Sequence, residues 1–361
     1  MPSALLPLTI MMTLRQFASG IETIPATTSW YLADLGEARG KQELFTRQSP
    51  QKLKVLRENA LIQSAVSSNR IEGVEADQAR IATVVFGKGP LLDRNEEEIR
   101  GYRSALELIH GRGASLPISE ATIRQLHRLV RGEAWDAGKY KGRDSDIIEK
   151  LADGLERVRF RTVTAGETPA YMNEMIRLWT DGLREHRVHP LVLSAAMNLD
   201  FLCIHPFRDG NGRVSRLLFL LQCYQLGFEV GRYVSLERVI EENNERYYET
   251  LKHSSHGWHK GRHDPWPFVD YVLFILKTAY SEFEERAGQL KSPRGSKTAL
   301  VEAAIDTFPG QFSLSELRRA CPGVSPDMVR RVLRDLQRAG KTVCLGRGPG
   351  AVWRKEGITL K

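Results

Sequence analysis

The chain has 361 residues, 42% of them hydrophobic, enough for sizeable cores without disulfide or metal staples. Cys203, Cys223, Cys321 and Cys344 lack CxxC spacing, and with no signal peptide and no apolar run of ~20 residues they point to reduced thiols in a cytoplasmic protein that leaves the membrane alone. The net charge of +8 falls entirely in 291–361, where 14 Lys and Arg face 6 Asp and Glu, leaving 38 of each for the first 290 residues. Neither HExxH nor GxxxxGK[ST] occurs, so zinc-peptidase and P-loop chemistry have no support.

The LLPLTIMM near the start has no basic segment before it and no small-residue cleavage site after it, and is expected to pack as an N-terminal arm. Gln51 to Ser68 carries Leu53, Leu56, Ala60, Leu61 and Ala65 at helical spacing. It runs on into Ser68-x-x-x-Glu72-Gly73, where Ser68 and Glu72 share a face if the helix continues to its glycine terminus. Such a hexapeptide turns up in roughly one chain in four or five of this length, so its weight depends on where it lies. Helices are predicted over Glu96 to Gly111, with Ile99, Tyr102, Ala105, Leu106 and Ile109 inward, and over Ser119 to Arg131, with Ser119 as N-cap. Then the texture changes. Gly138-Lys139-Tyr140-Lys141-Gly142-Arg143, followed by Ile147 and Ile148, is a β-prone stretch among glycines and predicts a hairpin. Met172 to Leu183 returns to helix.

Pro190 to Ile204 is apolar throughout and predicts a buried helix that delivers His205 at its end. The stretch HPFRDGNGR, His205 to Arg213, follows, and Val214 to Leu226 forms a second buried helix stopped by Gly227. His205 is a candidate base with an ordinary pKa near 6.5. Asp209 is a hard oxygen ligand of the kind Mg²⁺ prefers. Gly210, Asn211 and Gly212 turn amides toward an anion at a helix N-terminus, and Arg213 and Arg216, three apart on the first turn, add charge for phosphate. Pro206 breaks the preceding helix, and Phe207 is the apolar anchor of the loop. Singly, each residue has a bland reading: a surface histidine, a turn, a solvated arginine face. Jointly, the pattern arises by chance on the order of once in 10⁷ sequences, which excludes the bland one.

Ser235-Leu236-Glu237 opens a helix running from Arg238 to Leu251. His253, His256, His259 and His263 invite a metal reading, but Gly257 and Gly261 break the helix that would align them, and surface histidines are expected. Pro267 to Leu290 is a long helix ending in a Pro/Gly/Ser-rich basic linker, 291–297. Beyond it come Thr298 to Phe308, a capping box Ser313-x-x-Glu316, and a third helix capped by Ser325-Pro326 and ending at Gly340. Thr342 to Leu345 and Ala351 to Arg354 bracket GRGPG as a hairpin. Three helices and a hairpin resemble a winged helix-turn-helix, used both on DNA and in protein contacts. Arg330, Arg331, Arg334 and Arg338, with Lys341 and Arg347, are placed to meet DNA phosphates if the third helix enters a groove, or an acidic protein if it does not.

HPFRDGNGRVSR resembles the signature of the Fic domain family, and the resemblance extends over roughly residues 50 to 285. It implies transfer of AMP from Mg²⁺-bound ATP to a Ser, Thr or Tyr hydroxyl of a target protein or of the chain itself. His205 would take the hydroxyl proton and Asp209 would hold Mg²⁺. Gly210, Asn211 and Gly212 would form the anion hole, Arg213 would contact phosphate and Arg216 would pair with the γ-phosphate. No lysine replaces the second glycine as in the kinase-like branch, which disfavours phosphorylation. Ser68, Glu72 and Gly73 match an inhibitory helix whose glutamate would occupy Arg216. The stretch from Gly138 to Arg143, with Lys139, Tyr140, Lys141 and Gly142, matches a flap that docks the target by strand addition. Asn244, Tyr247 and Tyr248 match the wall of the adenine site. The fold class implied is mainly α, a Fic-type helical bundle with a hairpin flap and a C-terminal winged helix. Its parts would be an N-terminal helical region over 1–110 with the inhibitory helix near 55–73, a catalytic core over 111–290, the linker, and the winged helix over 298–361. Two rivals stay open: a DNA-binding regulator whose site only senses ATP, and an enzyme of the same fold that removes AMP. Monomer and homodimer are also both open.

Overall fold

The computed structural model describes residues 11–356 apart from 22, 47–49, 78, 88, 151–154, 290–295, 309, 322–323, 347 and 349–350. Most of the N-terminal arm, most of the 291–297 linker and the middle of the GRGPG turn lie outside the described residues. In chain order come α1 Thr13–Ala18, α2 Ala26–Thr46, α3 Pro50–Ile71, α4 Ile81–Phe86, α5 Arg94–Arg112 and α6 Glu120–Arg131. A hairpin of β1 Ile147–Lys150 and β2 Glu156–Phe160 follows. Next are α7 Thr168–Glu185, α8 Pro190–Ile204, α9 Asn211–Gln225, α10 Leu236–Glu242, α11 Asn244–Ser255 and α12 Trp266–Gln289. The C-terminal part consists of α13 Ser296–Asp306, β3 Gln311–Ser313, α14 Leu314–Ala320, α15 Pro326–Arg338, β4 Thr342–Cys344 and β5 Val352–Lys355.

The centre is the antiparallel pair α8 and α9, and their sequences explain it. Every residue of α8 from Leu191 to Ile204 is buried, as is nearly all of α9, so each is walled in by other helices rather than amphipathic. The few polar groups carried inside satisfy one another: Asn198 donates to Gln222 Oε1 at 2.7 Å and accepts from the Ser215 hydroxyl at 3.0 Å. Asp200 accepts the Thr13 and Leu14 amides at 2.7 and 2.8 Å and the Trp258 indole N–H at 2.7 Å, fastening α1 to the bundle.

Helix α3 lies between two cores. Leu53, Leu56, Ala65 and Val66 belong to the main one, whereas Val55 packs with Val301, Ile305 and Leu317 of the C-terminal part. That part has its own three-stranded antiparallel sheet, ordered β3-β5-β4, and the capping box between Ser313 and Glu316 forms as its spacing predicts. No helix among the described residues is long and apolar enough to cross a membrane.

Helix α2 escapes the periodicity argument because Gly36 and Gly40 interrupt it; it is held lengthwise on α12 by Thr28 donating to Asp270 at 2.5 Å and by the Lys277–Asp34 ion pair at 2.5 Å. Two expectations need correction. The helix expected from Arg238 to Leu251 is two helices, α10 and α11, broken at Asn243, whose side-chain amide turns back to the Val239 carbonyl at 2.8 Å. The stretch from Gly138 to Arg143 is not a strand. Gly138 has φ 72°, and the segment packs as a turn against the signature loop, while the strands form later, with Ile148 opposite Val158.

Candidate active site

His205 ends α8 in the left-handed region, φ 53° and ψ 60°, which turns the chain sharply into Pro206. The loop is closed by Asn211, whose side chain accepts from the Phe207 amide at 2.9 Å and donates to the Phe207 carbonyl at 2.8 Å. The Asn211 amide group is thus spent on the turn, and its backbone N–H is what remains for an anion. Phe207 is fully buried, its ring stacked on His127 with centroids 3.7 Å apart, so it is the anchor its sequence suggests. Gly138 N–H donates to His127 Nδ1 at 2.8 Å, which places the His127 proton on Nε2, facing the Asp209 carbonyl at 3.0 Å.

The His205 ring does not have the ordinary pKa assumed from sequence. Burial, and then the Lys141 ammonium, lower it to about 4 against the weaker opposite pull of the Leu202 carbonyl and Glu72, so the imidazole is neutral at pH 7. Its Nδ1 is buried, leaving Nε2 as the nitrogen that meets the cleft. That suits a proton acceptor.

Asp209 is half exposed and sits among cations. Its carboxylate accepts the Gly210 amide at 2.6 Å, Arg131 at 2.5 Å and Arg213 at 3.3 Å. Burial alone would raise its pKa, but Arg213, Arg131, the Gly210 amide and Arg94 outweigh that and hold it below the usual carboxylate range. Arg213 is itself buried, bonded to Glu98 at 2.5 Å and to the Asn69 side chain at 3.2 Å. Glu98 also accepts Arg131 at 2.9 Å, so one buried carboxylate joins α5, α6 and α9 under the signature loop. Among the described residues no group of three or more His, Cys, Asp or Glu gathers for a metal. A Mg²⁺ held mainly by phosphates and water needs only one or two carboxylates, and the ionised, solvent-facing Asp209 fits that demand.

Arg216 lies one turn into α9 and is met by the end of α3. Its Nε donates to Ser68 Oγ at 2.9 Å, and Nη2 donates to the Ser68 carbonyl and to Glu72 Oε1, each at 2.8 Å. The helix ends as its Gly73 predicts. Gly73, at φ 75°, donates to the Arg70 carbonyl and Val74 donates to the Asn69 carbonyl, both at 2.9 Å, the two bonds of a Schellman terminus. This terminus sets Glu72 beside Gly212, where a β-carbon would run into Glu72 Oε1. The glycine therefore allows the carboxylate to lie against the start of α9.

A cleft of about 280 Å³ opens here, bounded by Glu72, Gly212, His205, Arg159, Tyr247, Tyr248 and the hairpin residues Ile147 and Ile148. Tyr247 and Tyr248 thus line the cleft, and Tyr248 donates to the Ile71 carbonyl at 3.4 Å. Asn244, at the start of α11, does not line this cleft, although its Oδ1 is buried without a partner. Ile148 and Val158 of the hairpin are exposed. Of the four histidines, His253, His256 and His259 are exposed, while His263 is buried between Thr13 Oγ1 at 2.8 Å and Gln16 at 3.2 Å, a correction to the surface expectation. Arg330, Arg331 and Arg338 are exposed on α15 and pair with Asp327 or Asp335 of the same helix.

Sequence reasoning missed Glu98, Arg131, His127 and Arg159. Three of these carried a signal. Glu98 is four residues before the inward Tyr102, and His127 and Arg131 continue the Ile123 stripe at intervals of four, so all three polar residues ride on core faces.

Residues 117–223 match the Fic/DOC family model. A protein adenylyltransferase Fic of Nematostella vectensis is 28% identical over 230 residues, 59% of this chain and 46% of that protein. One from Drosophila grimshawi is 26% identical over 231 residues, 61% of this chain and 42% of that protein, so the chain spans about half the length of the curated relatives it matches. Among solved structures, a Fic family protein from Desulfovibrio desulfuricans G20 superposes with a TM-score of 0.59 at 24% identity, covering 94% of this chain and 98% of that one. A Fic domain containing signaling protein from Bacteroides thetaiotaomicron also gives 0.59, at 22% identity, over 71% of this chain and 97% of that one. At these identities the structural likeness speaks for the fold.

Proposed function

Starting from a chain that carries a Fic/DOC family domain, we propose that it transfers AMP from ATP to a hydroxyl of a target protein and that Glu72 restrains the transfer. The observation that carries this reading is the meeting, at one cleft, of a neutral His205, the N-terminus of α9 and an Arg216 already held by Glu72. The target oxygen attacks the α-phosphorus while His205 Nε2 takes its proton. The bond from that phosphorus to the bridging oxygen breaks, and pyrophosphate leaves. Free amides at the start of α9 face the phosphate oxygens, and Asp209 would hold Mg²⁺, which supplies positive charge to those oxygens when bound. The hairpin, with its exposed Ile148 and Val158 beside the cleft, is the docking strand for the target, one element later than the Gly138 to Arg143 stretch. Tyr247 and Tyr248 take the adenine side.

Arg216 cannot serve two anions. With Glu72 in place the γ-phosphate loses its cation and meets a carboxylate, so ATP binds weakly or with its α-phosphate misdirected. The C-terminal helices and sheet act as a winged helix for an acidic partner, DNA being the candidate its arginines suggest.

The test is label transfer from α-labelled ATP, with Mg²⁺, into proteins of a cell lysate and into the chain itself. His205→Ala should abolish transfer and keep ATP binding. A purified variant with more than about a tenth of the parent rate contradicts the assignment of the base. Release of AMP from premodified protein, with no incorporation, would favour the reverse reaction.

A further inference from the structure

Lys141 is a buried lysine in the turn after α6, with no carboxylate within ion-pair distance among the described residues. Its Nζ donates to the Ile204 carbonyl at 3.2 Å, its backbone N–H donates to the Pro206 carbonyl at 2.9 Å, and Nζ also donates to Thr162 Oγ1 at 2.7 Å. Thr162 passes its own proton to the Ser145 carbonyl at 2.6 Å. One side chain and its own amide therefore grip the carbonyls on both sides of His205 and tie them to the two ends of the hairpin. A non-glycine residue in the left-handed region is held against a backbone preference, and this grip supplies the restraint.

We propose that Lys141 is a positioning residue: it fixes the turn that aims the His205 imidazole into the cleft and lays a positive charge beside the ring. This rests on His205 acting as the base of AMP transfer. The groups that face the ring are Lys141 from the turn, Arg159 from β2 and Glu72 from the end of α3, with Tyr247 and Tyr248 of α11 across the cleft and Cys203 behind. Lys141 is the largest charge effect among them, favouring the neutral ring, and its own pKa is lowered by burial to about 8 against the pull of Asp144 and Asp146. The ammonium is thus charged at neutral pH and begins to lose its proton in mild alkali.

The experiment compares Lys141→Met, Lys141→Gln and Lys141→Arg in the full chain carrying Glu72→Gly. Histidine-labelled protein titrated by NMR gives the His205 pKa without any turnover. It should rise by about a unit or more in Met and Gln and stay low in Arg. In rate measurements, Lys141→Met should cut kcat about 10- to 100-fold with little change in KM for ATP, Gln should lose less, and Arg should recover most of the rate. The acid limb of the pH profile should move up with the ring. An unmoved His205 titration with unchanged kcat in folded Met or Gln variants would overturn the proposal, and if Met fails to fold, Gln decides. If the ring moves but Glu72→Gly itself incorporates no label, the positioning role stands and the transferase reading falls.

Discussion

Two sets of arginines in this molecule are built in opposite ways. Arg213 and Arg216 have side chains only 1% and 4% exposed, and apart from Asp209, four residues before Arg213, their partners Glu98, Asn69, Ser68 and Glu72 lie more than a hundred residues away. Arg330, Arg331 and Arg338 are 51%, 74% and 80% exposed, and their partners lie three or four residues off on the same helix. A buried guanidinium has its partner chosen by the fold, and losing that partner leaves a desolvated charge. An exposed one loses little and stays open to any polyanion. On the function proposed here, the first kind would make a switch and the second a docking surface.

The sharpest way to break the contrast is to remove one carboxylate of each kind. Glu98→Gln should cost about 3–5 kcal/mol in urea unfolding, because Arg131 and Arg213 are left buried with a neutral partner. Asp335→Asn should cost about 0.5 kcal/mol or less. Equal losses would mean that burial does not separate the two sets.

The contrast extends to histidines. His110, His127, His205 and His263 are pushed by burial to about 3, 4, 4 and 4, whereas His253, His256 and His259 are exposed. Each folded pKa lies below the unfolded value near 6.5, so the stability they give is whole above about pH 6.5 and falls as pH drops toward 4. Asp200, raised by burial to about 6, acts in the opposite sense, as do Glu58 and Asp270, which burial also raises. Thermal melts should show Tm declining through this window, and a flat profile would mean that these rings titrate freely.

A small effect on stability is also expected from the arginines at the tail. Arg330, Arg331 and Arg334 changed together to Glu should alter unfolding by about 1 kcal/mol or less. If α15 meets DNA, the same change should abolish a duplex gel shift that in the parent protein weakens steeply with salt. A parent protein that binds no duplex at low salt would turn the surface toward a protein partner.

What the sequence made legible follows the range of the interactions. The signature works within a dozen residues, so His205, Asp209 and the glycines are visible in it, and the apolar runs on either side announce the central helices. The Ser68 and Glu72 motif was also legible, since its glycine terminus is local, though its partner Arg216 came from resemblance. Glu98 was hidden in a run of three glutamates that looks solvated, because its bonds to Arg131 and Arg213 join separate helices. The hairpin was set too early because glycines at 138 and 142 advertise a turn. The actual strands lie where Ile147 and Ile148 pair with the alternating ERVRF of β2. The shift of His205 away from its ordinary pKa depends on burial and on Lys141, which no local pattern records.

The central claim is that Glu72 occupies the cation that ATP requires. It is tested most directly by the initial rate of label incorporation from α-labelled ATP into the purified chain with Mg²⁺. Glu72→Gly should raise that rate about 10- to 100-fold, Glu72→Gln should recover part of the gain by keeping the shape without the charge, and Arg216→Ala should be silent in either background. An unchanged rate in both Glu72 variants, with ATP bound and His205 intact, would contradict the account.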